Sequence, residues 1–158
     1  MLEAFDTEQQ MKVMVKVSKK FKNSKDLLAG EKDASDRFIS QAYAYLMAKR
    51  YRQKTAHLDA PPIFYVRPYI YRLKQPKFGV LSIYAEPMIT IDGDWQKYMN
   101  NWAYCGDESM ASFAHFAHVE SQGLFMIPDL QGIQNILSDP AIHSLDPKIF
   151  KERTNMGS

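Results

Sequence analysis

One long run of helical periodicity constrains this chain more than any other feature. From Ala34 to about Arg52, the residues Phe38, Ile39, Ala42, Tyr45 and Leu46 recur at helical spacing and form an apolar stripe. Ser35 or Asp36 offers a cap, and Lys49, Arg50 and Arg52 crowd the C-terminal end, where cations suit the helix dipole. No acidic residue follows Asp36 within this segment, and Pro61-Pro62 closes it. A stripe of this kind needs a partner surface, and the flanking segments read as strands. In Met11 to Lys22, Val13, Val15 and Val17 share one face, and Lys12 and Lys16 the other. Ile63 to Leu73 is rich in Tyr, Ile and Val; the Lys74 to Gly79 turn and the arm Val80 to Ala85 complete a hairpin. Asn23 to Asp33, with Ser, Gly and charges, reads as a loop.

The 158 residues suffice for one domain, and 46% hydrophobic with 13% aromatic content suffices for a packed core. No apolar run reaches membrane-spanning length, and the first residues do not form a signal peptide. One cysteine, Cys105, excludes an internal disulfide framework. An intracellular protein without a membrane segment is expected. The net charge of +2 conceals an asymmetry. Residues 1–77 hold 16 of the 20 Lys and Arg and 8 of the 18 acids, so the first half is basic and the second acidic. Such halves can attract each other, or one can hold phosphates while the other holds a metal; any single lysine equally serves as a solvated charge.

Candidate chemistry gathers late in the chain. The run Leu124 to Ile127 reads as a short buried strand that ends in Asp129 and Gln131, one residue apart and able to face one site. Gly132 loosens the backbone after them, and Asp139 follows in a Ser-Asp-Pro turn. Two carboxylates and an amide suit a hard divalent cation with a phosphate, and the same residues suit ordinary turns. Lys16 is a phosphate-binding amine or an exposed strand lysine. Glu86, before Pro87-Met88, is a ligand anchor or a solvated strand end. Asp107 to Ala117 looks helical, with Phe113 and Phe116 on one side and His115 and His118 nearby, either core histidines or ligands. The basic N-terminal segment also admits a nucleic-acid reading, but no recognisable binding motif accompanies it.

Three spaced motifs carry a resemblance. Ala111-Ser-Phe-Ala-His115 stands fourteen residues before Asp129-Leu-Gln-Gly-Ile133, and Leu137-Ser-Asp-Pro-Ala-Ile-His143 follows. This pattern resembles the alpha-kinases, atypical serine/threonine protein kinases that include myosin heavy chain kinases, the elongation-factor kinase and the kinase domains of certain TRP channels. Val15-Lys16, Glu86-Pro87, the Lys97-Tyr98-Met-Asn100 segment and Thr154-Asn155-Met-Gly157 add weaker matches. The resemblance implies an α+β, two-lobed protein-kinase-like fold of the alpha-kinase type, truncated in its C-terminal lobe. Residues 1–86 would be the N-lobe and 87–158 a partial C-lobe, with ATP in the cleft. It implies phosphorylation of serine or threonine in a protein substrate, with no nucleic acid involved. Asp129 would be the catalytic aspartate, Gln131 and Asp139 would ligate magnesium, and Ser138 would lie against the phosphates. Lys16 would bind the α- and β-phosphates, and Glu86 and Met88 would meet adenine through backbone groups.

The departures from the family pattern define a second expectation. The family's domain is longer, and its structural zinc uses a histidine matching His115 together with residues beyond the glycine-rich loop. That zinc site is incomplete in this chain unless a partner chain completes it. The helix offers Gln41 or Tyr43 where the family has a glutamate for its nucleotide lysine, leaving Glu31 or Asp36 as substitutes, and Pro128 replaces a β-branched or small residue. These departures suit a non-catalytic interaction module on a kinase fold.

Overall fold

The computed structural model describes residues 1–18, 27–77, 80–100 and 106–144. The chain divides into two compact units, residues 1–39 with 67–89, and residues 40–66 with 90–158. Residues 40–66 fall in the second unit. Their apolar side chains Ala44, Met47, Ala48, Tyr51, Ile63 and Tyr65 lie in one core cluster with Met110, Phe113, Ile127, Leu130 and Leu137.

The first unit is built on one antiparallel sheet in the order β1-β2-β5-β4. β1 (Leu2–Asp6) and β2 (Met11–Lys16) form a hairpin. Asp6 sets its turn by accepting from the N–H groups of Glu8 and Gln9 at 2.8 and 2.9 Å, an aspartate's usual turn chemistry. β4 (Tyr69–Lys77) and β5 (Val80–Pro87) form the second hairpin, as the sequence predicts. Alternation places Val13 and Val15 in the sheet's apolar cluster beside Ala85. It leaves Lys12 exposed but not Lys16, whose side chain is buried.

Helix α1 (Leu27–Thr55) has 29 residues and begins well before the sequence predicts. Ser35 and Asp36 accordingly lie inside it rather than at its cap. Residues 27–33 read as a loop because Gly30 and the charges mask their propensity. In the helix those charges sit one turn apart and pair, Lys32 with Asp36 at 2.9 Å and Arg37 with Asp33 at 3.0 Å. After α1 the chain folds back on itself. The Arg52 guanidinium donates to the Ile63 carbonyl at 2.6 Å and lies 4.2 Å above the Phe64 ring, fixing the approach to β3 (Phe64–Tyr65). The stretch expected as one strand from Ile63 to Leu73 is thus two strands. Pro68 interrupts it, and β3 and β4 enter different sheets.

The second unit contains β3, a second four-stranded sheet in the order β3-β9-β8-β6 and the two-stranded pair β10-β7. β6 is Gln96–Lys97, β7 Phe125–Met126, β8 Gln131–Ile133, β9 Ile136–Leu137 and β10 His143–Ser144. Helix α2 (Glu108–Glu120) starts at Asp107, whose carboxylate caps the N–H groups of Ser109 and Met110 at 2.9 and 3.0 Å. Its buried Phe113 meets the rings of Tyr51 and Tyr65. No helix among the described residues is long and apolar enough to cross a membrane.

Candidate functional site

The hairpin β8–β9 gathers the residues singled out by spacing. β8 pairs antiparallel with β9, and β9 pairs in parallel with β3. The approach to it differs from the expected strand. The strand β7 stops at Met126, Pro128 cannot donate to a ladder, and Asp129 takes a left-handed conformation at φ 60°. Asp129 and Gln131 therefore do not share a strand face by alternation. They still meet, because the Gln131 amide nitrogen donates to the Asp129 carboxylate at 3.3 Å and contacts the Asp139 carbonyl at 3.4 Å. The Ser138 N–H donates to the Gln131 carbonyl at 3.0 Å, so Ser138 is buried directly beside the pair. Asp139 is also left-handed, at φ 55°, and exposed.

Gly132 has a tighter function than loosening the backbone. A Cβ there would stand 2.1 Å from the Ile136 carbonyl oxygen, so only glycine lets β8 and β9 approach this closely.

Lys97 on β6 forms an ion pair with the Asp129 carboxylate. Its backbone is held beside β8 through the Lys97–Gln131 register, and the Tyr98 N–H donates to the Leu130 carbonyl at 2.8 Å. Behind Asp129 lie Tyr65 and His143. Burial, reinforced by the Asp129 and Asp139 charges, pushes the Tyr65 hydroxyl far above its ordinary range. Burial also lowers the His143 imidazole, against the opposing pull of Asp129.

The first unit holds the other candidates. Lys16 is buried against Glu86, Nζ to Oε1 at 2.7 Å, and the Tyr84 hydroxyl donates to the other Glu86 oxygen at 2.8 Å. Lys16 and Tyr84 are cross-strand partners, so the three groups share one patch of the sheet. Glu86 is thus neither a solvated strand end nor a side chain turned outward. The expected substitutes for a helix acid lie elsewhere, Asp36 on Lys32 and Glu31 at 3.8 Å from Arg72. At Met88 the N–H donates to the Lys12 carbonyl at 3.0 Å, so that N–H is engaged within the first unit.

Gln131 and Asp139 each carry an oxygen of the hard kind that magnesium takes, and an ion that keeps several waters needs few such protein oxygens. The Gln131 nitrogen is turned to Asp129 and Asp139, which turns its oxygen the other way. Zinc does not fit. His115 is exposed on α2, and among the described residues no three or more His, Cys, Asp or Glu side chains gather in a way that could hold a metal. Cys105 and the Thr154 to Gly157 segment lie outside the described residues.

Sequence reasoning names two further positions but misses what they contact. Lys97, the only lysine or arginine between residues 78 and 147, is part of a motif match, and its ion pair with Asp129 is not announced by it. Gln41 is marked as standing where the family has an acid, and its burial with bonds to Val66 and Asp139 is visible only in the structure.

The alpha-kinase family model matches residues 1–158. Myosin heavy chain kinase C of Dictyostelium discoideum is 27% identical over 128 residues, covering 77% of this chain and 16% of that protein. Alpha-protein kinase 1 of the same organism is 29% identical over 140 residues, covering 85% of this chain and 10% of that one. The chain therefore spans a small part of these relatives. Among solved structures, the alpha-kinase domain of myosin heavy chain kinase A in complex with ADP is similar at a TM-score of 0.66 and 21% identity, over 88% of this chain and 53% of that chain. The same domain in complex with AMP-PNP is similar to the same degree. These likenesses show the fold.

Proposed function

Because the chain belongs to the alpha-kinase family, we propose that it binds ATP and serves transfer of the γ-phosphoryl group to serine or threonine of a protein substrate. The observation that carries this reading is the hairpin β8–β9, where the Gln131 amide bonds the Asp129 carboxylate at 3.3 Å and the Asp139 backbone carbonyl at 3.4 Å, and the Ser138 N–H bonds the Gln131 carbonyl at 3.0 Å. Phosphoryl transfer asks for positioning and charge neutralisation more than for covalent chemistry, and these side chains supply both.

In this reading Asp129 orients the acceptor hydroxyl and takes its proton. Lys97, ion-paired with the Asp129 carboxylate, keeps it aimed until the hydroxyl arrives. Gln131 and Asp139 hold magnesium, which neutralises charge on the phosphates. Ser138 lies against the phosphates, and Lys16, held in place by Glu86, binds the α- and β-phosphates. The Met88 carbonyl meets adenine, whereas the Glu86 backbone, expected to do so as well, is engaged with Met14 in the sheet. The setting is intracellular, as one cysteine and a nucleotide substrate suit.

A second reading, a kinase fold that binds nucleotide or a partner without transfer, draws support from Gln41 standing where an acid is expected on α1. Transfer of labelled phosphate from ATP to a generic basic protein separates the two. Wild type is expected to transfer, and Asp129→Ala to lose at least a hundredfold. Equal, background-level transfer by both with nucleotide still bound supports the second reading and refutes the first.

A further inference from the structure

We propose that Gln41 is the positioning residue for the metal-binding loop, holding Asp139 ready for the cation. This rests on the kinase reading above and assigns a role to a residue that has none in it. Gln41 lies inside α1, 1% exposed. Its amide nitrogen donates to the Val66 carbonyl at 2.8 Å. Its amide oxygen accepts from the Asp139 N–H at 3.2 Å. One side chain thus joins the helix to two points on the chain, 25 and 98 residues away.

Those two points flank the parallel strands β3 and β9. Val66 follows β3 and donates its own N–H to the Leu137 carbonyl at 3.0 Å. Asp139 follows β9 by two residues. The Gln41 amide therefore clips together the ends of both strands, just where β9 gives way to the loop that carries the metal-binding carboxylate.

The clip matters because of the backbone that it fixes. Asp139 stands at φ 55°, a conformation that a non-glycine residue holds only when its surroundings impose it. The Asp139 carboxylate is exposed, while its N–H faces inward to Gln41. Relaxation of the backbone toward negative φ would re-aim the Asp139 carboxylate and draw the Asp139 carbonyl away from the Gln131 amide nitrogen, which lies 3.4 Å from it. A glutamine suits the task because the site needs one donor and one acceptor on the same buried side chain. A lysine or leucine would supply at most one of the two, and a glutamate would supply the acceptor alone.

The effect should appear in the metal and not in the nucleotide itself. A fluorescent ATP analogue titrated into the full 158-residue chain, with and without Mg2+, reads both. Wild type is expected to bind more tightly when Mg2+ is added. Gln41→Met keeps the volume and removes both bonds. It is expected to bind the analogue without Mg2+ within about twofold of wild type, but to need about tenfold more Mg2+ for the same enhancement, the size of one lost buried hydrogen bond. Gln41→Glu keeps an acceptor for the Asp139 N–H and is expected to stay within about threefold of the wild-type Mg2+ requirement.

A Met variant with a wild-type Mg2+ requirement overturns the proposal, as does one whose binding falls equally with and without Mg2+, since that marks general support of the fold. If Gln41→Met does not fold, the Glu variant decides, and loss of its Mg2+ enhancement overturns the proposal. A wild-type chain that binds no nucleotide overturns the kinase reading and this inference together, whereas Mg2+-enhanced wild-type binding matched by the Met variant overturns the inference alone.

Discussion

Adding one methyl group at Gly132 should damage the candidate site more than most larger changes. The Cβ of an alanine there would lie 2.1 Å from the Ile136 carbonyl oxygen, 2.8 Å from the Leu137 Cα and 2.9 Å from the Ile136 carbonyl carbon. Ordinary contact begins near 3.4 Å, so β8 and β9 must part by more than about 1 Å at their pairing of Gly132 with Leu137. All three obstructing atoms are backbone, so no side-chain rotation relieves the clash. Overpacking of a tight site costs about 1–3 kcal/mol, and this case belongs at the upper end. For a chain of this size, about 3 kcal/mol lowers the melting temperature by roughly 6–12 °C. Urea denaturation followed by far-UV circular dichroism measures it. Gly106→Ala is the control, because a Cβ there meets nothing within 4 Å, and it should lie within about 0.5 kcal/mol of wild type. A Gly132→Ala protein as stable as the Gly106→Ala control would refute the close approach and the hairpin geometry that depends on it.

Two further outcomes concern the first unit. Lys16→Met leaves the buried Glu86 carboxylate without its ion-pair partner and should cost about 3 kcal/mol in chemical denaturation, while Lys16→Met with Glu86→Leu should recover most of the loss. The Tyr71 hydroxyl, and then the Gln9 and Glu8 N–H groups, hold the Asp6 carboxylate below its ordinary range, against burial. The folded state therefore binds the proton more weakly than the unfolded chain. The contribution is present above the ordinary value of about 4 and is lost as the pH falls from there through the lower folded value. Melting temperatures measured between pH 6 and 2.5 should fall less steeply at low pH for Asp6→Asn than for wild type.

The elements legible in the sequence are those whose signals are local. Alternation in Met11–Lys16, the helical run from Asp107 and the hairpin of β4 and β5 all announce themselves within a few residues, although β4 runs on to Lys77, into the stretch expected as a turn. The start of α1 does not, because Gly30 and mixed charges mimic a loop until their pairing at one-turn spacing is seen. Pro68 likewise divides one apolar stretch between two sheets, and nothing in the stretch itself says which strand each half will meet. In the candidate site, Asp129, Gln131 and Asp139 stand out by spacing and by likeness to a family. Gln41 stands out only as a departure from the family's acid, since burial by partners far along the chain is invisible in one sequence. Lys16 was expected on the face opposite Val13 and Val15, where exposure is usual. The Glu86 and Tyr84 groups across the sheet make its burial tolerable.

The parallel pairing of β3 with β9 joins Phe64 to Ile136 and Tyr65 to Leu137. During synthesis, β3 emerges long before its neighbour exists, and its Tyr65 must wait without the strand that will cover it. The first unit faces no such delay at its β1–β2 hairpin, whose partners are a few residues apart. Pairings between distant residues form late because the intervening chain must first be ordered. The β3–β9 pairing, and the candidate site residues beside it, should therefore be among the last parts of the nascent chain to become native, later than the β2–β5 pairing of the first unit, which spans a similar length of chain but is complete once β5 has emerged.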